Sequence, residues 1–150
     1  MNKVIYIDFD GVLVDTPNMI NNALKNSVNS FETCKNLAWN YFLKNCSEIE
    51  NNFSCIEEIS KKYKVVILTH VYSENELLEK EKFISNLFQN VDFVPVPYNI
   101  EKNKIVNSKG NILIDDYSKN VNKWIESGGI GIHLNTEKRI DKLLNEYLIV

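Results

Sequence analysis

Short apolar runs alternate along this chain with longer stretches in which apolar positions recur every three or four residues. "VIYI" (4–7), "VVIL" (65–68), "FVPV" (93–96), "ILI" (112–114) and "IGIHL" (130–134) are rich in Val and Ile. Uncharged β-branched runs of this length predict strands covered on both faces. Between them, "SENELLEKEKFISNLFQN" (73–90) places Leu77, Leu78, Ile84, Leu87 and Phe88 at helical steps with charges opposite, which predicts an amphipathic helix. "SKNVNKWIESGG" (118–129) opens on a serine cap, sets Val121, Trp124 and Ile125 on one face and stops at a glycine pair. "TEKRIDKLLNEYL" (136–148) repeats the plan with Thr136 as cap.

Strand and helix in alternation predict an α/β fold, three-layered and Rossmann-like, because parallel neighbours in a sheet need long crossovers. The alternation breaks once. Residues 17–62 hold no convincing strand; "PNMINNALKNSVNSF", "CKNLAWNYFLKN" and "SCIEEISKKY" read as two or three short helices, with Pro17 suited to the first turn of one. The expected organisation is a core of 1–16 and 63–150 with a small helical cap, 17–62, inserted after the first strand.

Composition narrows the function classes. A chain of 150 residues suits one core, and 44% hydrophobic with 25% charged residues is ordinary for a globular protein. A net charge of -3 argues against a partner that is a nucleic acid polymer. Arg139 is the one arginine among 17 basic residues, so an anion site would rely on lysine, hydroxyls and backbone N–H groups. Cys34, Cys46 and Cys55 show no C-x-x-C spacing and read as buried thiols of a reducing compartment. The N-terminal apolar run is only four residues long before its first carboxylate, and no run approaches a membrane span. The expectation is a cytoplasmic monomer or homodimer with a small-molecule partner and no membrane attachment.

The candidate chemistry lies at strand ends, where parallel α/β sheets bind ligands. Asp8 and Asp10 close the first strand, and Gly11 permits an immediate turn that would let both carboxylates lean to one point. Thr69 ends the next strand with a hydroxyl. Lys102 and Lys104 precede the strand at 112–114, Lys102 reading as a solvated charge. Asp115 and Asp116 follow that strand, and two adjacent acids there need a counter-charge. Carboxylates, a hydroxyl and a lysine at one sheet edge suit Mg²⁺ and phosphoryl transfer.

The ordered set D-F-D-G-V, apolar-T, Lys, apolar-D-D resembles the four motifs of the haloacid dehalogenase superfamily of phosphohydrolases, across residues 4–116. Within it, "ILIDDYSKNVNKWIESGGIGIHL" (112–134) is similar to the 5'(3')-deoxyribonucleotidases in its L-I-D-D, Asn, aromatic and G-G-I-G-I order. The resemblance implies that Asp8 attacks phosphorus and that Asp10 serves as acid and then base. It implies Mg²⁺ held by the Asp8 side chain, the Asp10 backbone carbonyl and Asp115, with Asp116 in support. Thr69 and a motif lysine would hold the phosphoryl oxygens; both lysines fit the spacing, and Lys104, which opens "KIV", is preferred. It implies hydrolysis of (deoxy)nucleoside monophosphates under the cap, with Phe9, Trp39, Tyr41 and Phe42 as candidates to stack on a base. Trp39 and Phe42, three apart on a helix, read first as packing residues. Another phosphorylated metabolite, a phosphotransferase activity or an idle regulatory module on the same fold are the alternatives. A receiver domain would lack both the insertion and the second acid pair.

Overall fold

In a computed structural model, which describes residues 2–148, five parallel strands form one sheet. They are β1 (Val4–Ile7), β2 (Lys64–Val71), β3 (Val91–Pro97), β4 (Ile112–Asp115) and β5 (Ile130–His133), ordered β3-β2-β1-β4-β5. The chain builds outward from β1 to β2 and β3, then crosses back to place β4 on the other side of β1. The strand order therefore reverses between β1 and β4. A crevice opens beyond the carboxyl ends of strands at such a reversal.

The alternation of side chains divides the core. Ile5, Ile7, Val65, Ile67, Ile112 and Ile114 bury one face, while Tyr6, Val66, Leu68, Leu113 and Trp124 bury the other. Both faces are covered, as apolar parallel strands require. The α/β, three-layer reading of the sequence holds.

Four helices stand between β1 and β2: α1 (Thr16–Leu24), α2 (Ser30–Lys35), α3 (Trp39–Asn45) and α4 (Asn52–Ser60). Pro17 occupies the first turn of α1, where its missing N–H costs nothing. The last of the four belongs with the sheet, because Ile56 of α4 is fully buried in the main core. Asn52 ties it there, donating to the carbonyls of Val12 and Lys138 and accepting from the Ile140 N–H.

Three further helices follow: α5 (Glu74–Leu87), α6 (Ser118–Glu126) and α7 (Ile140–Leu144). Ser73 caps α5 by accepting from the Glu76 N–H. The caps expected for the other two differ. Ser118 lies inside α6, whose cap position is Tyr117, and α7 begins at Ile140 rather than after Thr136. Residues 136–139 stay extended enough for Asn52 to reach the backbone at 138 and 140. Tertiary hydrogen bonds override the local helix preference there.

Helix α5 also departs from its predicted face. Its buried residues are Glu76, Lys80 and Ile84, one stripe at four-residue steps, whereas Leu78 and Leu87 are exposed. Two charges thus occupy the inner face. The three cysteines are free and half-buried, and burial pushes the Cys55 thiol up to about 11.

Candidate active site

Beyond β1 the chain folds into a tight turn. Val12 and Leu13 donate to the Phe9 carbonyl, and Gly11 donates to Val14. Gly11 has a φ of 80°, and a Cβ there would lie 2.0 Å from Asp116 Oδ2. Glycine is thus required twice, by its backbone and by the carboxylate against it.

Asp8 and Asp115 emerge side by side from β1 and β4. Lys102 lies between them, its ammonium donating to Asp8 Oδ1 at 2.9 Å and Asp115 Oδ2 at 2.7 Å. Lys102 is 2% exposed. Burial alone would favour the neutral amine, but Asp8 and Asp115 outweigh it and hold its pKa above the ordinary lysine value. Of the two candidate lysines, the one that reaches the acidic pair is therefore Lys102. Lys104, preferred from sequence, is exposed; both stand on one three-residue 3-10 turn, Lys102–Lys104, whose successive side chains point about a third of a turn apart.

Asp115 is fixed further. Its Oδ1 accepts from the Tyr117 N–H at 2.9 Å, and its Oδ2 accepts from Asn120 Nδ2 at 3.0 Å. Oxygens of Asp8, Asp115 and Asp116 gather within 4.8 Å of one another. Burial, then the neighbouring Asp115, pushes Asp8 well above the usual carboxylate range and Asp116 up to about 6. One ammonium does not neutralise three carboxylates. The cluster has the oxygen donors and the charge deficit that suit a hard divalent cation.

Asp10 stands apart from that cluster. Its Oδ1 accepts from Thr16 Oγ1 at 2.6 Å and its Oδ2 from Lys80 Nζ at 2.6 Å. Lys80 also donates to Glu76 Oε2 at 2.6 Å and Thr69 Oγ1 at 3.2 Å. Thr69 itself is fully buried and lies within β2, two residues before its end. Glu76 is held in turn by the Tyr72 N–H.

Sequence reasoning missed Lys80, Glu76, Thr16 and Asn120. A Glu and a Lys four apart on a helix ordinarily form a solvated pair. The one available hint was their register with Ile84.

The aromatic candidates divide. Phe9 and Trp39 are buried, Phe9 edge-on to Phe83 and Trp39 with its ring centroid 4.4 Å from Lys80 Nζ. Phe42 is buried beside Trp39, and Tyr41 is exposed. The expected stacking surface is thus closed at three of its four positions. A different set is open: Tyr72 and Tyr98 stack with ring centroids 4.9 Å apart and planes 18° apart. Phe31 of α2 packs against Tyr98 at 5.0 Å. Tyr72 and Tyr98 directly follow the carboxyl ends of β2 and β3, the edge at which Asp8 and Asp115 stand, and Phe31 reaches them from α2.

The G-G-I-G-I signature proves to be a packing device. A Cβ on Gly131 would meet Val121 and Ile125 of α6 within 2.9 Å, and one on Gly129 would meet Trp124 Nε1 at 2.3 Å. Trp124 donates to the Asn111 carbonyl at 3.0 Å. This stretch seats α6 on the sheet.

No family model matches the sequence, and no curated protein sequence matches it. In structure the chain is similar to a haloacid dehalogenase-like hydrolase from Streptococcus pneumoniae, with a TM-score of 0.58 and 17% identity over 97% of this chain and 91% of that one. The fold is that of the haloacid dehalogenase-like hydrolases. Among the described residues no helix is long and apolar enough to cross a membrane.

Proposed function

We propose that the chain is a phosphomonoester hydrolase that works through an aspartyl phosphate on Asp8 and uses Mg²⁺. The observation that carries this reading is the buried Lys102 ammonium shared between Asp8 and Asp115 at the strand-order reversal. It holds one carboxylate oxygen of Asp8 in place next to a site of high negative charge, an arrangement that serves an anionic substrate only if further positive charge arrives. Asp8, Asp115 and Asp116 would hold the Mg²⁺. Bound there, the ion would offset the charge of the phosphoryl oxygens.

In the first half-reaction an Asp8 oxygen bonds to phosphorus and the ester P–O bond breaks. Its electron pair stays on the leaving oxygen, which takes a proton from Asp10. In the second, water attacks phosphorus, Asp10 takes the water proton, and the Asp8 carboxylate and inorganic phosphate separate. Lys102 and Thr69 serve the phosphoryl oxygens. Helices α1 to α3 serve as the cap.

The substrate we infer is a nucleoside monophosphate, in its deoxy form by the resemblance of 112–134. Support comes from Tyr72, Tyr98 and Phe31, whose exposed rings line the same edge and offer flat surface to a base. Base stacking on an aromatic ring is worth roughly 1–3 kcal/mol, so losing one ring should lower kcat/KM by about tenfold or more.

The test is a panel of deoxy- and ribonucleoside monophosphates, sugar phosphates and a small aryl phosphate, assayed with and without Mg²⁺. Nucleotides should be hydrolysed best, only with Mg²⁺ and not by Asp8→Asn. Tyr98→Ala should impair nucleotides and spare the aryl ester. Sugar phosphates outrunning every nucleotide would overturn the substrate, and an Asp8→Asn variant at the parent rate would overturn the mechanism.

A further inference from the structure

Lys80 has no exposed surface, pairs with none of the acidic triad's carboxylates, and is not used by the reaction steps above. An ammonium is stably buried away from water only where protein acceptors replace its hydration. Here they do. Its ammonium donates to Asp10 Oδ2 and Glu76 Oε2 at 2.6 Å, to Thr69 Oγ1 at 3.2 Å and to the His70 carbonyl at 3.4 Å. The rings of Trp39 and Phe9, at 4.4 and 5.0 Å from Nζ, close the remaining space. Burial lowers its pKa, yet Asp10 and Glu76 together hold it above the ordinary lysine value.

We propose that Lys80 is a positioning residue: anchored by Glu76, it holds the Asp10 carboxylate in the orientation from which that group exchanges protons with the leaving oxygen and with water. This inference rests on the proposed function. The geometry supports it in two ways. Asp10 is gripped at both oxygens from different elements, by Lys80 of α5 and by Thr16 at the start of α1, so its plane is set before a substrate arrives. Lys80 is itself gripped from one turn earlier on α5 by Glu76, whose other oxygen accepts from the Tyr72 N–H. A chain of charge-assisted hydrogen bonds therefore runs from the end of β2 to the acid. Neither Lys80 nor Glu76 needs to touch the substrate for its loss to be felt.

The experiment compares the parent with Lys80→Met, with Lys80→Met/Glu76→Leu, which removes the carboxylate left unpaired, and with each combined with Asp10→Asn. Rates are measured on an alkyl phosphate, whose alcohol must be protonated to leave, and on p-nitrophenyl phosphate, which needs little help. General acid catalysis contributes about 10²- to 10⁴-fold, so loss of its orientation should lower kcat on the alkyl ester by about tenfold or more. The aryl ester should change by less than about twofold, KM should stay level on both, and Asp10→Asn should leave almost nothing further for Lys80→Met to remove. If Lys80→Met does not fold, the double variant gives the same comparison. Equal losses on both esters, or full additivity with Asp10→Asn, would overturn this inference alone. A parent chain without phosphatase activity would overturn the proposed function and the inference with it.

Discussion

Replacing Lys102 by methionine leaves the packing volume nearly unchanged and removes the only cation in contact with Asp8 and Asp115 among the described residues. Removing one partner of a buried pair typically costs about 3–5 kcal/mol, because the charge left behind has neither water nor partner. Two carboxylates lose a partner here. Asp8, whose pKa burial already pushes well above the usual range, can relieve part of the cost by taking up a proton, which keeps the loss near that range rather than doubling it. For a chain of this length each kcal/mol moves the melting temperature by about 2–4 °C, so Lys102→Met should melt roughly 6–20 °C below the parent. A protonated Asp8 is no nucleophile, so phosphatase activity should vanish as well. Lys104→Met, two residues along and exposed, should stay within about 0.5 kcal/mol of the parent and keep its activity. Thermal and urea unfolding of both variants, without added metal, provide the comparison. Equal effects of the two substitutions, or a Lys102→Met protein as stable as the parent, would refute the buried bridge.

Gly11→Ala should be destabilising by about 1–2 kcal/mol from its positive φ alone. Mg²⁺ bound at the proposed site should raise the melting temperature of the parent, and Gly11→Ala should shrink that rise, since the new Cβ would occupy the place of Asp116 Oδ2, 2.0 Å away; a parent response left unchanged in the variant would show that Asp116 has no part in metal binding. Trp39→Ala should cost about 3–5 kcal/mol of stability as a large-to-small change in a packed site. It should lower nucleotide and aryl phosphate hydrolysis alike, and a loss confined to nucleotides would return Trp39 to a stacking role. Trp39→Phe should be far milder, because the indole N–H it removes is buried without a hydrogen-bond partner.

The inner strands β1, β2 and β4 were legible in the sequence because burial on both faces leaves little room for polar residues, so each carries an apolar run whatever its neighbours. Asp8, Asp115 and Asp116 were legible for a related reason: a carboxylate directly after such a run stands at a sheet edge. Sheet order, by contrast, depends on which crossover turns back past β1, and that reversal is what brings Asp8 beside Asp115. Lys102 and Lys104 cannot be separated by composition or spacing. The sense of one 3-10 turn decides which enters the site. Glu76 and Lys80 follow the same rule at larger scale, since a charged pair on a helix is solvated or buried according to what the helix faces. Here α5 faces Asp10, and one of the two carboxylates that make burial of Lys80 tolerable is 70 positions away along the chain. Local pattern is set by whether a side chain meets water, which neighbours in sequence reveal. The identity of a buried charge's partner is set by the tertiary fold alone.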